Sequence, residues 1–212
     1  MITTIIFDLD GLLSDTETLH IKAYQQVFEA QGYDLTEDVY SRHWIRDGKG
    51  VQEFIDENKL SLNVGLIRSE KAKVYDELLK TSLNAMPGAK ELLMCLRGHK
   101  RLALASSFYR SNVEQVIRFL DFNRYFDVVA AYEDVKAVKP APDLFLYVAE
   151  RMNVNPSECI VVEDAEKGII AASVAGMKSI AVPSKYTREN DFSLATHVCD
   201  SLLDVEKIIL RY

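Results

Sequence analysis

The sequence predicts an α/β fold: a doubly wound, mainly parallel sheet with an all-helical block inserted into it. Three observations lead there. Short apolar runs alternate with helical patterns over the second half of the chain, as a parallel sheet with crossover helices requires. One further run, Thr3 to Gly11 (TTIIFDLDG), stands near the N-terminus and ends in two carboxylates, Asp8 and Asp10, and a glycine. Between it and the alternating half lies a stretch from Tyr33 to about Asn84 with helical periodicity and no convincing strand.

Taken in order, Ile5-Ile6-Phe7 reads as a buried strand whose tip delivers Asp8 and Asp10 to the edge where open α/β sheets keep their ligands. Ser14 and Glu17 stand at capping-box spacing and predict the next helix, with Leu19, Ala23, Val27 and Ala30 on one face and Gly32 closing it. Val39 to Arg46, Val51 to Asn58 and Leu66 to Leu83 have helical patterns, and Gly48-Lys49-Gly50 is the turn that links two of them. Met86-Pro87-Gly88 punctuates the return to alternation, and a helix from Ala89 to Arg97 leads into the strand Arg101 to Ser106. A second capping box, Ser111 with Glu114, predicts a helix over Val113 to Leu120, followed by a strand over Asp127 to Ala131. Pro142 to Met152 is read as helix, Cys159 to Val162 as a strand ending in Glu163-Asp164, and Gly168 to Ala175 as a helix closed by Gly176. Short strands at Lys178 to Val182 and Thr196 to Cys199, then a helix from Leu202 to Leu210, complete the chain. The expected domains are an α/β core of residues 1–14 and 85–212 and a helical cap of residues 15–84.

A chain of 212 residues is long enough to bury a proper core. Its net charge of −7 and lack of any Lys/Arg block argue against nucleic acid or an anionic membrane as partner. No apolar run is long enough to span a bilayer. Cys95, Cys159 and Cys199 are odd in number and widely spaced among apolar neighbours, which predicts free thiols and a cytoplasmic protein. Nothing in the composition demands more than a monomer.

Three strand ends finish in polar residues: Asp8 and Asp10, then Ser106 and Ser107, then Glu163 and Asp164. A parallel sheet brings such ends to one edge. Four carboxylates in one crevice repel one another unless a cation sits among them, and hard oxygen ligands of this kind suit Mg²⁺. Lys139, framed by Pro140 and Pro142, adds a rigidly held ammonium, while Ser106 and Ser107 offer donors for an anion. These residues form a phosphoryl-transfer set without a nucleotide cradle, and a small phosphorylated metabolite is the expected partner.

Four separated motifs, FDLDG, LASS, VKPAPDLF and VVEDAEKGI, resemble those of the haloacid dehalogenase superfamily, in the phosphatase and β-phosphoglucomutase-like branch with a helical (C1) cap. The resemblance covers nearly the whole chain and implies a Rossmann-like core. It implies that Asp8 attacks phosphorus to form an aspartyl-phosphate and that Asp10 is general acid and then base. Mg²⁺ would be held by Asp8, the Asp10 carbonyl and Asp164, with Glu163 close by, and Ser106, Ser107 and Lys139 would hold the phosphoryl group. Cap residues His20, Lys49 and Lys71 are candidates for substrate contact; His20, His43, His99 and His197 have no mutual metal-ligand spacing. Two features depart from the pattern of relatives: Phe108-Tyr109 follows Ser107 where small polar residues are common, and Ala165 follows the acidic pair where Ser is common.

The expected activity is Mg²⁺-dependent hydrolysis of a phosphate monoester. A β-phosphoglucomutase-like transfer is the nearest alternative; mutase relatives place an arginine in the cap where this chain has Lys49. A phospho-acceptor module would be shorter and capless, and a ligand-binding relative without catalysis would not need the whole motif set.

Overall fold

A computed structural model describes residues 1–212. The chain divides into two compact units, one of Met1–Asp15 with Asn84–Tyr212 and one of Thr16–Leu83.

The first unit is built on six strands: β1 (Thr4–Phe7), β2 (Arg101–Ala105), β3 (Val128–Ala130), β4 (Cys159–Glu163), β5 (Lys178–Ala181) and β6 (His197–Val198). All pair in parallel, in the order β3-β2-β1-β4-β5-β6, which is the doubly wound arrangement expected. Strands covered on both faces read as continuous apolar runs, and every residue of β1 and β4 is buried. The direction of winding reverses between β1 and β4, so the crevice that such a sheet opens for ligands lies beyond the carboxyl ends of these two strands. Register then fixes the neighbours, because Phe7 lies opposite Leu104 on one side and Val162 on the other. One step further along, Asp8 stands level with Ala105 and Glu163.

The second unit is wholly helical: α1 (Thr16–Glu29), α2 (Glu37–Tyr40), α3 (Val51–Glu57) and α4 (Val64–Ser82). Leu19, Ala23, Val27 and Phe28 of α1, Phe54 and Ile55 of α3, and Ile67, Tyr75 and Leu79 of α4 are buried, each large apolar side chain contributing roughly 1.5–3 kcal/mol. Thr36 caps α2 by accepting the Val39 N–H. The single helix expected over Val39 to Arg46 is instead the end of α2 followed by a π-helical turn, Ser41–Arg46, in which the Asp47 N–H reaches back five residues to the Arg42 carbonyl. This wider turn carries His43 and Trp44 into an aromatic cluster with Phe54, where both rings lie about 5 Å from it.

Around the sheet run α5 (Ala89–Leu96), α6 (Arg110–Phe119), α7 (Asp143–Met152), α8 (Glu166–Val174) and α9 (Leu202–Ile209). Leu144, Phe145 and Val148 of α7 and Ala171 and Ala172 of α8 pack on Ile6, Ala103 and Val161 of the sheet. The helix starts differ from those the two capping boxes predict. Ser14 is buried with its hydroxyl turned back to the Leu9 carbonyl, closing the turn after β1, so α1 starts at Thr16. Ser111 lies inside α6, which starts at Arg110 and whose first N–H is accepted by Glu133 from a distant loop. Cys95, Cys159 and Cys199 are free thiols, as expected. No helix is long and apolar enough to cross a membrane.

Candidate active site

The crevice gathers residues from four strand ends and loops. Asp8, beyond β1, keeps its backbone in the sheet by donating its N–H to the Val162 carbonyl at 3.0 Å. The Lys139 ammonium meets the three groups that the register sets level with one another: Asp8 Oδ1 at 2.5 Å, Glu163 Oε1 at 2.6 Å and the Ala105 carbonyl at 2.8 Å. All three of its protons are thereby engaged, and its side chain is 1% exposed. Glu163 is held from its other side too, since Oε2 accepts the N–H groups of Asp164 and Ala165. Ser106 begins the loop after β2 and donates its hydroxyl to Asp10 Oδ2 at 3.1 Å, while accepting the Phe108 N–H at 3.2 Å. The Ser107 hydroxyl is buried with no hydrogen-bond partner.

Two carboxylates around one ammonium leave an electrostatic imbalance. Burial pushes Asp8 up to about 7; Lys139 pulls it back only in part, and Glu163 and Asp10 push it further. Burial would lower Lys139, but Asp8 and Glu163 outweigh it and hold the ammonium above the ordinary lysine value. Asp8, Glu163 and Asp164, all buried, place ligand oxygens within 4.8 Å of one another. Such an all-carboxylate set fits a hard divalent cation.

Two glycines make room for this geometry. Gly11 has a φ of +80°, and a Cβ there would sit 2.5 Å from Asp164 Oδ2. A Cβ on Gly168 would sit 2.0 Å from the Glu163 carboxyl carbon. Sequence reasoning passed over Gly168, although a glycine within a helix costs roughly 1 kcal/mol against alanine and so signals a packing reason.

The sheet edge thus assembles Asp8, Asp10, Ser106, Ser107, Lys139, Glu163 and Asp164. The other three candidates lie in the helical unit. His20 and Lys71 meet there, with Nδ1 and Nζ 2.6 Å apart, and the His20 ring stacks on Tyr75 at 4.2 Å. Burial and the neighbouring ammonium hold His20 well below its ordinary value, so Nδ1 accepts and Lys71 donates. Burial brings Lys71 down to about 8 against the pull of Glu17 and Asp76. Its ammonium also lies over the rings of Tyr75 and Tyr24, at 4.5 and 5.3 Å; Tyr24 was not among the sequence candidates. Lys49 keeps different company, pairing with Glu57 at 2.8 Å on the surface.

An open parallel α/β sheet with a buried acidic cluster and lysine at its switch point is a crevice suited to a cation and an anionic ligand. The chain belongs to the haloacid dehalogenase-like hydrolase family, whose pattern it matches over residues 5–182. The phosphorylated carbohydrates phosphatase of Thermotoga maritima is 37% identical over 182 residues, covering 83% of this chain and 82% of that protein. Fructose-1-phosphate phosphatase YqaB of Escherichia coli is 33% identical over 180 residues, covering 84% and 95%. Among solved structures, a mutant of CbbY from Rhodobacter sphaeroides in complex with xylulose-1,5-bisphosphate is similar with a TM-score of 0.79 at 29% identity, covering 95% of each chain.

Proposed function

We propose that the protein is a Mg²⁺-dependent phosphatase of small phosphorylated sugars that works through an aspartyl-phosphate on Asp8. The observation that carries this reading is the Asp8–Lys139–Glu163 arrangement beside Asp10 and Asp164. The names of the relatives support the sugar phosphate as substrate class.

In this reading Asp8 attacks phosphorus as the bond to the sugar oxygen breaks, and Asp10 gives that oxygen its proton. Asp10, now a carboxylate, takes a proton from water, whose oxygen attacks the same phosphorus and releases phosphate from Asp8. Ser106 couples to Asp10 by a hydrogen bond, and with Ser107 and Lys139 it supplies donors to the phosphoryl oxygens. A divalent cation held by Asp8, the Asp10 carbonyl and Asp164, with Glu163 alongside, would supply charge that keeps Asp8 ionised and screens the phosphate. Residues 1–14 and 85–212 are the catalytic core in this proposal. Residues 15–84 select the substrate, with His20 and Lys71 as its polar contacts and Lys49 as a secondary one. Free thiols support a reducing compartment, the cytoplasm, and the proposed working form is a monomer.

Phosphate release from p-nitrophenyl phosphate and from a panel of sugar phosphates, with and without Mg²⁺, tests the proposal. Wild type should release phosphate and Asp8→Asn should not. Failure with every compound would refute hydrolysis. Conversion of β-glucose 1-phosphate to glucose 6-phosphate far faster than hydrolysis would replace it with a mutase.

A further inference from the structure

Arg110 is the first residue of α6, and a guanidinium there faces the positive end of the helix dipole, an unfavourable place for a cation. Its surroundings account for it. The guanidinium donates to the Asp134 carboxylate and, at 3.2 Å, to the Val129 carbonyl, while its backbone N–H donates to Glu133 Oε2 at 2.8 Å. The Tyr132 N–H donates to the Phe108 carbonyl at 2.9 Å, and the Ala131 N–H to the same Asp134 oxygen at 2.8 Å. Tyr109 and Tyr132, one from each side, bring their rings to 4.9 Å.

These bonds join two loops at the carboxyl edge of the sheet. The first follows β2 and begins with Ser106 and Ser107. The second follows β3 and runs on to Lys139. No helix or strand lies between Asp134 and Lys139; Val135 and Val138 pack on the core there, and the bonds to Arg110 hold the start of the segment. We propose that Arg110, Glu133 and Asp134 are positioning residues, a clasp that keeps the serine donors and the Lys139 ammonium at a set separation around the phosphoryl group. The inference rests on the phosphatase reading for what the two loops hold.

The same two strands offer an internal comparison. At their amino ends Arg101 approaches Asp127 at 3.6 Å and donates to the Met152 carbonyl at 2.7 Å, far along the strands from Ser106. Arg101–Asp127 links the two segments at the amino ends of β2 and β3, whereas Arg110–Asp134 links the segments that follow these strands and borders the phosphate loops.

The experiment measures five quantities on wild type, Asp134→Asn, Arg110→Lys and Asp127→Asn. They are kcat and KM for p-nitrophenyl phosphate, inhibition by inorganic phosphate, the unfolding midpoint, and amide hydrogen exchange at Phe108 and Tyr132. Asp134→Asn should lower kcat roughly 10- to 100-fold and weaken phosphate inhibition about 10-fold, the scale of a misplacement near 1 Å. Arg110→Lys keeps the charge but not the fork, so it should fall between Asp134→Asn and wild type. Asp127→Asn should keep both constants within about twofold, whatever stability it loses. Exchange at Phe108 and Tyr132 should rise in Asp134→Asn and not in Asp127→Asn. The clasp is overturned if Asp134→Asn keeps both constants, or if the two Asn variants lose activity alike in proportion to their unfolding midpoints. A wild type that releases no phosphate from any compound refutes the phosphatase reading instead. The exchange comparison still decides the clasp in that case, and unchanged exchange in Asp134→Asn overturns it.

Discussion

Replacing Gly168 by alanine sets two effects of opposite sign against each other. Alanine favours a helix over glycine by about 1 kcal/mol, and Gly168 lies within α8. Against this, the new methyl would lie 2.0 Å from Glu163 Cδ and Oε1 and 2.5 Å from Cγ. A flexible carboxylate would swing aside at little cost, but Glu163 is 1% exposed and bonded through both oxygens, to Lys139 and to two backbone N–H groups. Overpacking costs about 1–3 kcal/mol, and withdrawing one partner from a buried ion pair about 3–5 kcal/mol. These costs overlap, so the net expectation is a destabilisation of about 2–4 kcal/mol. Phosphate release should also fall, by roughly 100-fold, because Lys139 loses one of its anchors. Urea unfolding followed by circular dichroism reads the first effect, and p-nitrophenyl phosphate hydrolysis the second. In a Glu163→Ala background the clash is gone, and the same substitution should be neutral or stabilising by up to about 1 kcal/mol. Equal cost in both backgrounds, or a Gly168→Ala protein as stable as wild type, would refute the claim that Glu163 fills the space over Gly168.

Other outcomes follow from the same geometry. Asp8→Asn should retain the fold while losing phosphate release by at least roughly 10³-fold; a variant with near-normal turnover would remove Asp8 from the chemistry. Chelation with EDTA should abolish activity and added Mg²⁺ restore it, and activity that survives exhaustive chelation would exclude a required divalent cation. Gly11→Ala crowds Asp164 and strains a positive φ, so the Mg²⁺ concentration for half-activation should rise about 10-fold, read from metal titrations of initial rate. Lys71 has a folded value near 8 against an ordinary 10.5, so the unfolded chain binds the proton more readily between those two pH values. Stability is therefore reduced below pH 8 and recovers as pH rises toward 10.5. Relative to Lys71→Met, wild type should gain up to about 3 kcal/mol between pH 7.5 and 10.5, and parallel urea-derived stability curves for the two proteins would contradict the burial of that ammonium.

Much of the sheet was legible because apolar runs and their polar ends carry positional information. Ile5-Ile6-Phe7 before Asp8, and Ile160-Val161-Val162 before Glu163-Asp164, announce both the strands and the side chains at their tips. Local capping patterns were less dependable. Ser14 and Ser111 both satisfy the spacing of a capping box, yet Ser14 closes a turn within its own loop and Glu133 caps α6 from across the sheet edge. A motif that reads a few neighbouring residues cannot register a competitor more than twenty positions away. The π turn was hidden for a related reason, since Val39 to Arg46 has helical periodicity, and the five-residue reach of Asp47 to Arg42 accompanies packing of His43 and Trp44 on Phe54, a residue from another helix. In the site, the types of the charged residues pointed to their chemistry, whereas the space that lets them meet depends on Gly11 and Gly168, whose missing side chains have meaning only beside their three-dimensional neighbours.

Lys139 has no idle proton. With Asp8, Glu163 and the Ala105 carbonyl already accepting from it, the phosphoryl oxygen of the proposed reaction would reach the ammonium only by taking over a bond that one of these holds. Capture of an anion is then an exchange of partners and not an addition, and the displaced acceptor stays close enough to reclaim its place when phosphate departs. Under the proposed function, departure of phosphate would restore the bonds that its arrival displaced, so the product's exit would regenerate the arrangement that meets the next substrate.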